Sequence, residues 1–453
     1  MSQVKLFSST GTRVARRSGK PKKQKVKKPL KTLAIWLLVI LCLEALYFFC
    51  VYTNNSFVKK WRTIYINTAM DTMRHQWLAT YFIPKDVIDE VRYEYGLVRA
   101  ATVGKESNAN WGKKDDTPAG TDTPAADDNV THINPNITHE SEQTEDNTPT
   151  AEELEKQAQE NFYSVFWELD RTSMEAYLAE HPDTLANGWD QIYINEAGFD
   201  DEGTSIQSTF GEQVLAINYR EKILLVHAEG EGYRGVLAVA KVPARLSLEN
   251  AAQHGTIGQT VGEIAEETGD ILAMSASRVP ETDEGEGALP VGYAMSGGVG
   301  YGEHLDGPAE YGYCRVEISN DNVLSIVKTT DPVGRTCRDA VETQPALIVD
   351  GAVQSLSGWT EQNPRACLGQ SSRREMLLLV IEGHNLTEGI YGAALSECAQ
   401  ILTRHGAQQA VNLAGGTSAI LWYDGQCVTR CSNSYHTEGR LLPNAFVYHA
   451  RTD

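Results

Sequence analysis

Twenty almost wholly apolar residues, Leu33 to Tyr52 (LAIWLLVILCLEALYFFCVY), limit this chain's fold more firmly than any other feature. About 20 such residues cross the ~30 Å hydrocarbon core of a bilayer as one helix. Residues 1 to 31 before them hold eleven Lys or Arg and no acid, whereas only Lys59, Lys60 and Arg62 follow closely. By the positive-inside rule this asymmetry puts the N-terminus in the cytoplasm and the bulk of the chain outside. The rival is a cleaved signal peptide, which needs a shorter apolar core and an A-x-A-like site that Thr53–Asn54–Asn55–Ser56 does not offer. An uncleaved single-pass cell-membrane anchor is therefore expected. Glu44 inside the span either pairs with a neighbouring membrane helix, a membrane partner for this chain, or sits near the outer face.

The basic arm does not indicate a nucleic-acid partner, because the formal charge of the 453 residues is -20 and all that follows the arm is acidic in balance. After the anchor, Ile64, Met70, Met73, Trp77, Leu78, Tyr81 and Phe82 recur at helical spacing, interrupted by Pro84. That predicts a helical stalk over 54–100. From 101 to 149 the chain turns to Asp, Asn, Thr, Pro and Gly with hardly a large apolar residue, the composition of a disordered linker. Asn129–Val130–Thr131 and Asn136–Ile137–Thr138 there match the N-glycosylation triplet.

Order resumes at Thr150–Ala151–Glu152–Glu153, a capping box that opens a helix, followed by a second helix over about Ser173 to Glu180 before Pro182. These make a helical approach segment, 150–204. Short β runs then dominate: Val214–Ile217, Ile223–Val226, Val236–Val242, Arg245–Leu248, Ile271–Met274, Cys314–Ser319, Ala346–Val349 and Met376–Ile381. Helical patterns lie at Val261–Glu267 and Tyr391–His405, the latter stopped by Gly406. The expectation is one α+β domain over 205–453, mixed sheets with helices, behind the arm (1–31), the anchor (32–53), the stalk and the linker.

Near the C-terminus, Ala410 to Gly425 reads as strand, tight turn, strand and turn. Gly415–Gly416 lets backbone N–H groups and the Thr417–Ser418 pair approach a ligand, although a Gly pair in a hairpin serves structure more often. Of the eight Cys, Cys42 and Cys50 lie in the span. Cys314, Cys337, Cys367, Cys398, Cys427 and Cys431 lie outside and permit three disulfides, but Cys367 and Cys398 read as buried thiols. A direct Cys427–Cys431 bridge is too long if both stay in one strand. No metal-type His/Cys cluster, phosphate loop or serine elbow is present, so no metal site is assigned.

Five blocks now stand in a telling order: Ala346–Leu347–Ile348–Val349–Asp350–Gly351, Arg365–Ala366–Cys367–Leu368–Gly369–Gln370, Leu378–Leu379–Val380–Ile381–Glu382–Gly383, the helix ending at Gly406–Ala407, and Asn412–Leu413–Ala414–Gly415–Gly416–Thr417–Ser418. In order and spacing they resemble the phosphodiester glycosidase family, most of all its bacterial, membrane-anchored, exopolysaccharide-biosynthesis branch. The resemblance runs from about Ser205 through Arg430–Cys431–Ser432–Asn433 and Leu442–Pro443–Asn444–Ala445. It implies a domain that binds a sugar 1-phosphodiester of an envelope glycan and cleaves between the anomeric carbon and the phosphate oxygen. Such an anion suits a planar Arg fork and backbone N–H donors. Arg365 would supply the fork, Gly415 and Gly416 close approach, and Asn412, Thr417 and Ser418 contacts to hydroxyls or phosphate oxygens.

The departures bear on catalysis. The family turn usually carries Asp where this chain has Ala414, and Ser275 and Arg278 replace the family's Asn and Gly in Ala273–Met274–Ser275–Ala276–Ser277–Arg278–Val279. Where related bacterial sequences often carry Arg, His384 follows Glu382–Gly383. Glycosyl transfer needs a carboxylate, and the acids that could stand in are Asp424, Glu382 and Asp350, although Asp350 and Asp424 each precede Gly as turn residues do. Two readings follow: a membrane-anchored phosphodiester glycosidase, or a catalytically inactive relative that binds a phosphoglycan or scaffolds an active partner. No cofactor is assigned.

Overall fold

The computed structural model describes residues 28–53, 55–70, 76–85, 87–88, 91, 150–198, 203–280, 286–307, 312–385, 387–433 and 437–452. The basic arm up to residue 27 and the whole 101–149 stretch, with both glycosylation triplets, lie outside the described residues. The chain divides into two compact units, Met1–Arg62 and Thr63–Asp453. In the first, helix α1 (Lys28–Tyr52) contains an 18-residue window, Ile35–Tyr52, that is long and apolar enough to cross a membrane. Helix α2 (Ser56–Met70) follows it, and α3 (Gln76–Phe82) begins after residues outside the description.

The predicted α+β class is what the second unit shows: three sheets, every described strand pair antiparallel, with helices packed outside them. A nine-stranded sheet runs in the order Tyr193–Asn195, Val214–Asn218, Ile223–His227, Gly235–Ala240, Met376–Ile381, Arg365–Ser371, Ala407–Asn412, Ala346–Val349, Ala352–Val353. Strand side chains alternate between faces. In the middle of this sheet both faces are covered, which is why Gly235–Ala240 and Met376–Ile381 read as unbroken apolar runs. Met376, Leu378 and Val380 face a core shared with the two smaller sheets. Leu377, Leu379 and Ile381 face a second core built with helices α4 (Ala151–Val165), α5 (Arg171–Glu180) and α7 (Leu395–Arg404).

The first five-stranded sheet is ordered Leu324–Lys328, Cys314–Ser319, Cys337–Thr343, Ala294–Ser296, Val299–Tyr301, and the second Gln426–Cys427, Leu421–Tyr423, Leu272–Ser275, Asn444–Tyr448, Leu246–Asn250. Helix α6 (Val261–Thr268) covers the outer face of the second through Val261, Ile264 and Ala265 against Ile420, Trp422 and Val447. Thr150 and Thr260 each cap their helix through a reciprocal bond with a Glu three residues on. α7 starts at Leu395 rather than Tyr391, because Ala393 pairs with Asn363 and Gly392 sits at φ +98 with no room for a side chain against the Asn363 backbone.

A buried charge cluster ties the helical layer to the sheet. Lys241 Nζ donates to Glu168 Oε2 (2.7 Å) and Glu375 Oε1 (3.0 Å), and Trp167 Nε1 also donates to Glu375 Oε1. Burial raises Glu168 above its ordinary value. It pushes Glu375 the same way, but Lys241, Trp167 and Ser371 together bring Glu375 below its ordinary value.

Candidate functional site

Four neighbouring strands of the nine-stranded sheet start or finish at one end of it, and their antiparallel register sets what gathers there. Arg365 pairs with Ile381, Ile381 with Gly235, and Cys367 with Asn412. The residues flanking those strands at that end are therefore Arg234, Arg365, Glu382 and the Leu413–Ser418 turn, on strands ~4.8 Å apart.

The turn is fastened to the start of the Arg365 strand. Leu413 N–H donates to Ala366 O (2.7 Å) and Gly416 N–H to Pro364 O (3.1 Å). Gly415 must be glycine here for space, since a Cβ would lie 2.7 Å from Pro364 O. Gly416 takes φ +63 in open space, so its need is conformational. Ser418 N–H donates to Gly415 O and Ala419 N–H to Gly416 O, closing a single 3-10 turn over Gly416–Ser418. The N–H groups of Gly415 and Thr417 have no backbone acceptor among the described residues.

Arg365 is buried. Its Nε donates to Ala393 O (3.2 Å) and its Nη2 to Glu361 O (2.8 Å), so two edges of the guanidinium brace neighbouring loops, and Nη1 has no protein acceptor among the described residues. Asn412 spends its amide nitrogen on Gln344 O (2.8 Å) and accepts from Thr343 Oγ1 at its backbone carbonyl. Its Oδ1 is buried and unpaired. Thr417 is half-buried, with its carbonyl accepting from Cys431 Sγ, and Ser418 is buried. The structure thus brings Arg365, Asn412, Gly415, Gly416, Thr417 and Ser418 to one corner.

The segment where the family pattern fails borders the same corner. Ala414 N–H donates to Ala276 O (3.2 Å), and Ser275 Oγ accepts from Ile420 N–H. Ala414 itself is buried. Next in line, Ser277 is buried with Oγ unpaired, while its N–H donates to Asn444 Oδ1 (2.9 Å).

Among the three stand-in acids, register separates one from two. Asp350 accepts from Gln409 Nε2 and lies toward the other end of the Ala407–Asn412 strand. Asp424 is bound by Tyr193 and Asn195 at the surface. Glu382 is at the site: the following residue, Gly383, is packed so tightly on Pro364 that a Cβ would lie 2.9 Å from its ring. Its Oε2 accepts from Arg234 Nε (2.8 Å) and its Oε1 from Arg430 N–H (2.8 Å). Burial pulls Arg234 down, but Glu382 and then Glu388 outweigh it and hold the guanidinium above its ordinary value. Arg430 Nη1 also reaches Glu388 (3.1 Å). Sequence reasoning named Arg365 alone as the cation and missed Arg234. The signal was a basic residue directly before an apolar run, legible only once that run is known to neighbour Met376–Ile381.

Residues 268–449, which hold three of the four strands that end at this corner and the Leu413–Ser418 turn, match the family model described as phosphodiester glycosidase. This stretch is a phosphodiester glycosidase domain. A comparison with curated protein sequences finds no match. Among solved structures, the chain is similar to the zebrafish N-acetylglucosamine-1-phosphodiester alpha-N-acetylglucosaminidase catalytic domain auto-inhibited by its pro-peptide. Identity is 15%, the TM-score is 0.40, and the match covers 51% of this chain and 82% of that chain. A hypothetical protein from Synechocystis is similar at 17% identity and a TM-score of 0.37, with 53% of this chain and 64% of that one covered.

Proposed function

We propose that the chain is a membrane-anchored, extracytoplasmic phosphodiester glycosidase-like protein that recognises a sugar 1-phosphodiester of a cell-envelope glycan, such as an exopolysaccharide precursor or product. α1 is its anchor, with the basic arm in the cytoplasm and the domain outside. The observation that carries the reading is the Gly416 N–H to Pro364 O bond, which sets the glycine turn beside Arg365. A phosphodiester held there would meet the remaining Arg365 edge, Arg234 and the N–H groups of Gly415 and Thr417, each charge-assisted bond contributing about 1.5–3 kcal/mol. Asn412 Oδ1 and Ser277 Oγ offer partners for sugar hydroxyls.

Ala414 favours a second reading, an inactive relative that binds or scaffolds. A buried methyl replaces the carboxylate of the family turn, and both oxygens of Glu382 are already engaged. Glu382 is then the acid on which any turnover depends. An assay with an aryl sugar 1-phosphodiester decides between the readings: release of reducing sugar by the wild type supports hydrolysis, and its loss in Glu382→Gln assigns the acid. Ligand-dependent thermal stabilisation without release supports the binder, and Ala414→Asp then tests whether the turn carboxylate is what is missing. Neither stabilisation nor release would overturn both. Protease added to intact cells tests the topology, with shaving of the domain and protection of residues 1–31 expected.

A further inference from the structure

Two thiols meet in the layer between α7 and the sheet. Cys367 is in the Arg365–Ser371 strand, where Ala366 and Leu368 face the inter-sheet core and Cys367 faces the helices. Cys398 stands on the apolar face of α7 with Leu395, Ala399, Ile401 and Leu402. Both are fully buried free thiols in the same core cluster, with Cys398 the neighbour that acts on the Cys367 sulfur. Two residues before Cys367, on the same face of the strand, is Arg365, whose Nε is bound by the carbonyl of Ala393 just ahead of α7. The thiol contact and the arginine bond are therefore adjacent links between the same two elements.

We propose that Cys367 and Cys398 are a disulfide site, closed while the chain folds, that braces α7 against the strand carrying Arg365 and so fixes the carbonyl that orients the guanidinium. This rests on the extracytoplasmic reading above, since such bonds persist in oxidising compartments. The oxidant is a disulfide-bearing thiol oxidant. One thiolate attacks a sulfur of its disulfide to give a mixed disulfide, the other displaces the carrier, and the carrier leaves as a dithiol with two electrons and two protons. Both sulfurs are fully buried, so no carrier reaches them in the folded domain, and burial, then Cys398 beside it, pushes the Cys367 thiol well above its ordinary range. Closure therefore precedes docking of α7, and the finished bond resists reductant until the domain unfolds.

The test uses the full-length protein from its native membrane, trapped with N-ethylmaleimide at lysis, unfolded without reductant, labelled with a second alkylator and mapped by mass spectrometry. The expected result is a linked pair of peptides containing Cys367 and Cys398, with neither residue labelled. Cys367→Ala and Cys398→Ala should each lower Tm by about 6–12 °C, and the double variant by no more than either alone. Full labelling of both residues in the unfolded, unreduced wild type overturns the proposal, whether or not the variants fold. Thermal stabilisation by an aryl sugar 1-phosphodiester, measured on the same preparation, separates the two ideas: stabilisation with free thiols removes only the brace, and a linked pair without stabilisation removes only the ligand.

Discussion

Gly416 donates its backbone N–H to the carbonyl of Pro364 at 3.1 Å, and through that bond a turn at the end of one central strand is held against the start of its neighbour. The two glycines of the turn should fail differently. Gly415→Ala puts a methyl 2.7 Å from Pro364 O, where only backbone movement relieves the overlap, and should cost about 1–3 kcal/mol together with the ligand-induced shift. Gly416→Ala meets nothing within 4 Å and should cost about 1–2 kcal/mol, the left-handed penalty alone, with ligand stabilisation kept. Urea unfolding and thermal shift on both variants check the contrast; equal loss of ligand response would sink it.

Lys241→Met should destabilise far more than a surface lysine would. It leaves Glu168 and Glu375 buried together without their cation, and breaking one partner of such a cluster costs about 3–5 kcal/mol. The loss should shrink in Lys241→Met/Glu168→Gln, because one stranded carboxylate is removed. Guanidinium midpoints read both; a Lys241→Met midpoint equal to that of the wild type contradicts the account.

A pH effect should come from His449, which contacts Asp270 at 2.8 Å and Glu249 at 3.5 Å. Glu249 first, then Asp270, raise His449 against the pull of burial, and His449 in turn lowers Glu249. A raised histidine stabilises fully below its unfolded value near 6.5 and loses that contribution as pH climbs through the folded value. A lowered glutamate stabilises above its unfolded value near 4.5 and loses the contribution as pH falls through the folded one. Their joint contribution is greatest between those limits. A Tm profile from pH 4 to 9 should show wild type and His449→Gln converging toward high pH; parallel profiles would count against it.

The layers were legible where burial on both faces made strands into continuous apolar runs: Ala346–Val349 and Met376–Ile381 stand where the pattern puts them, and Cys314–Ser319 stands where an alternating pattern puts it. Cys337–Thr343 was not legible, because it carries Asp339 and Glu342 into the interior, paired there with Arg338 and Arg315. Nor was the partnering of Gly235–Ala240 with Met376–Ile381, which are far apart in sequence and meet only through the sheet. The Gly-Gly turn reads locally as a hairpin. Its flanking strands enter different sheets, Ala407–Asn412 the nine-stranded one and Leu421–Tyr423 a five-stranded one, a distinction no local pattern carries. Arg365, Asn412 and the turn could be named from their motif blocks, whereas Arg234 and Ser277 needed the register.

The central claim, that the end of the nine-stranded sheet is an anion site for a sugar phosphodiester, is tested most directly by a crystal structure with a non-hydrolysable aryl sugar 1-phosphonate. The account predicts phosphonate oxygens about 2.7–2.9 Å from Arg365 Nη1, Arg234 or the N–H groups of Gly415 and Thr417. A phosphonate bound with full occupancy elsewhere, leaving this corner unchanged, would contradict it.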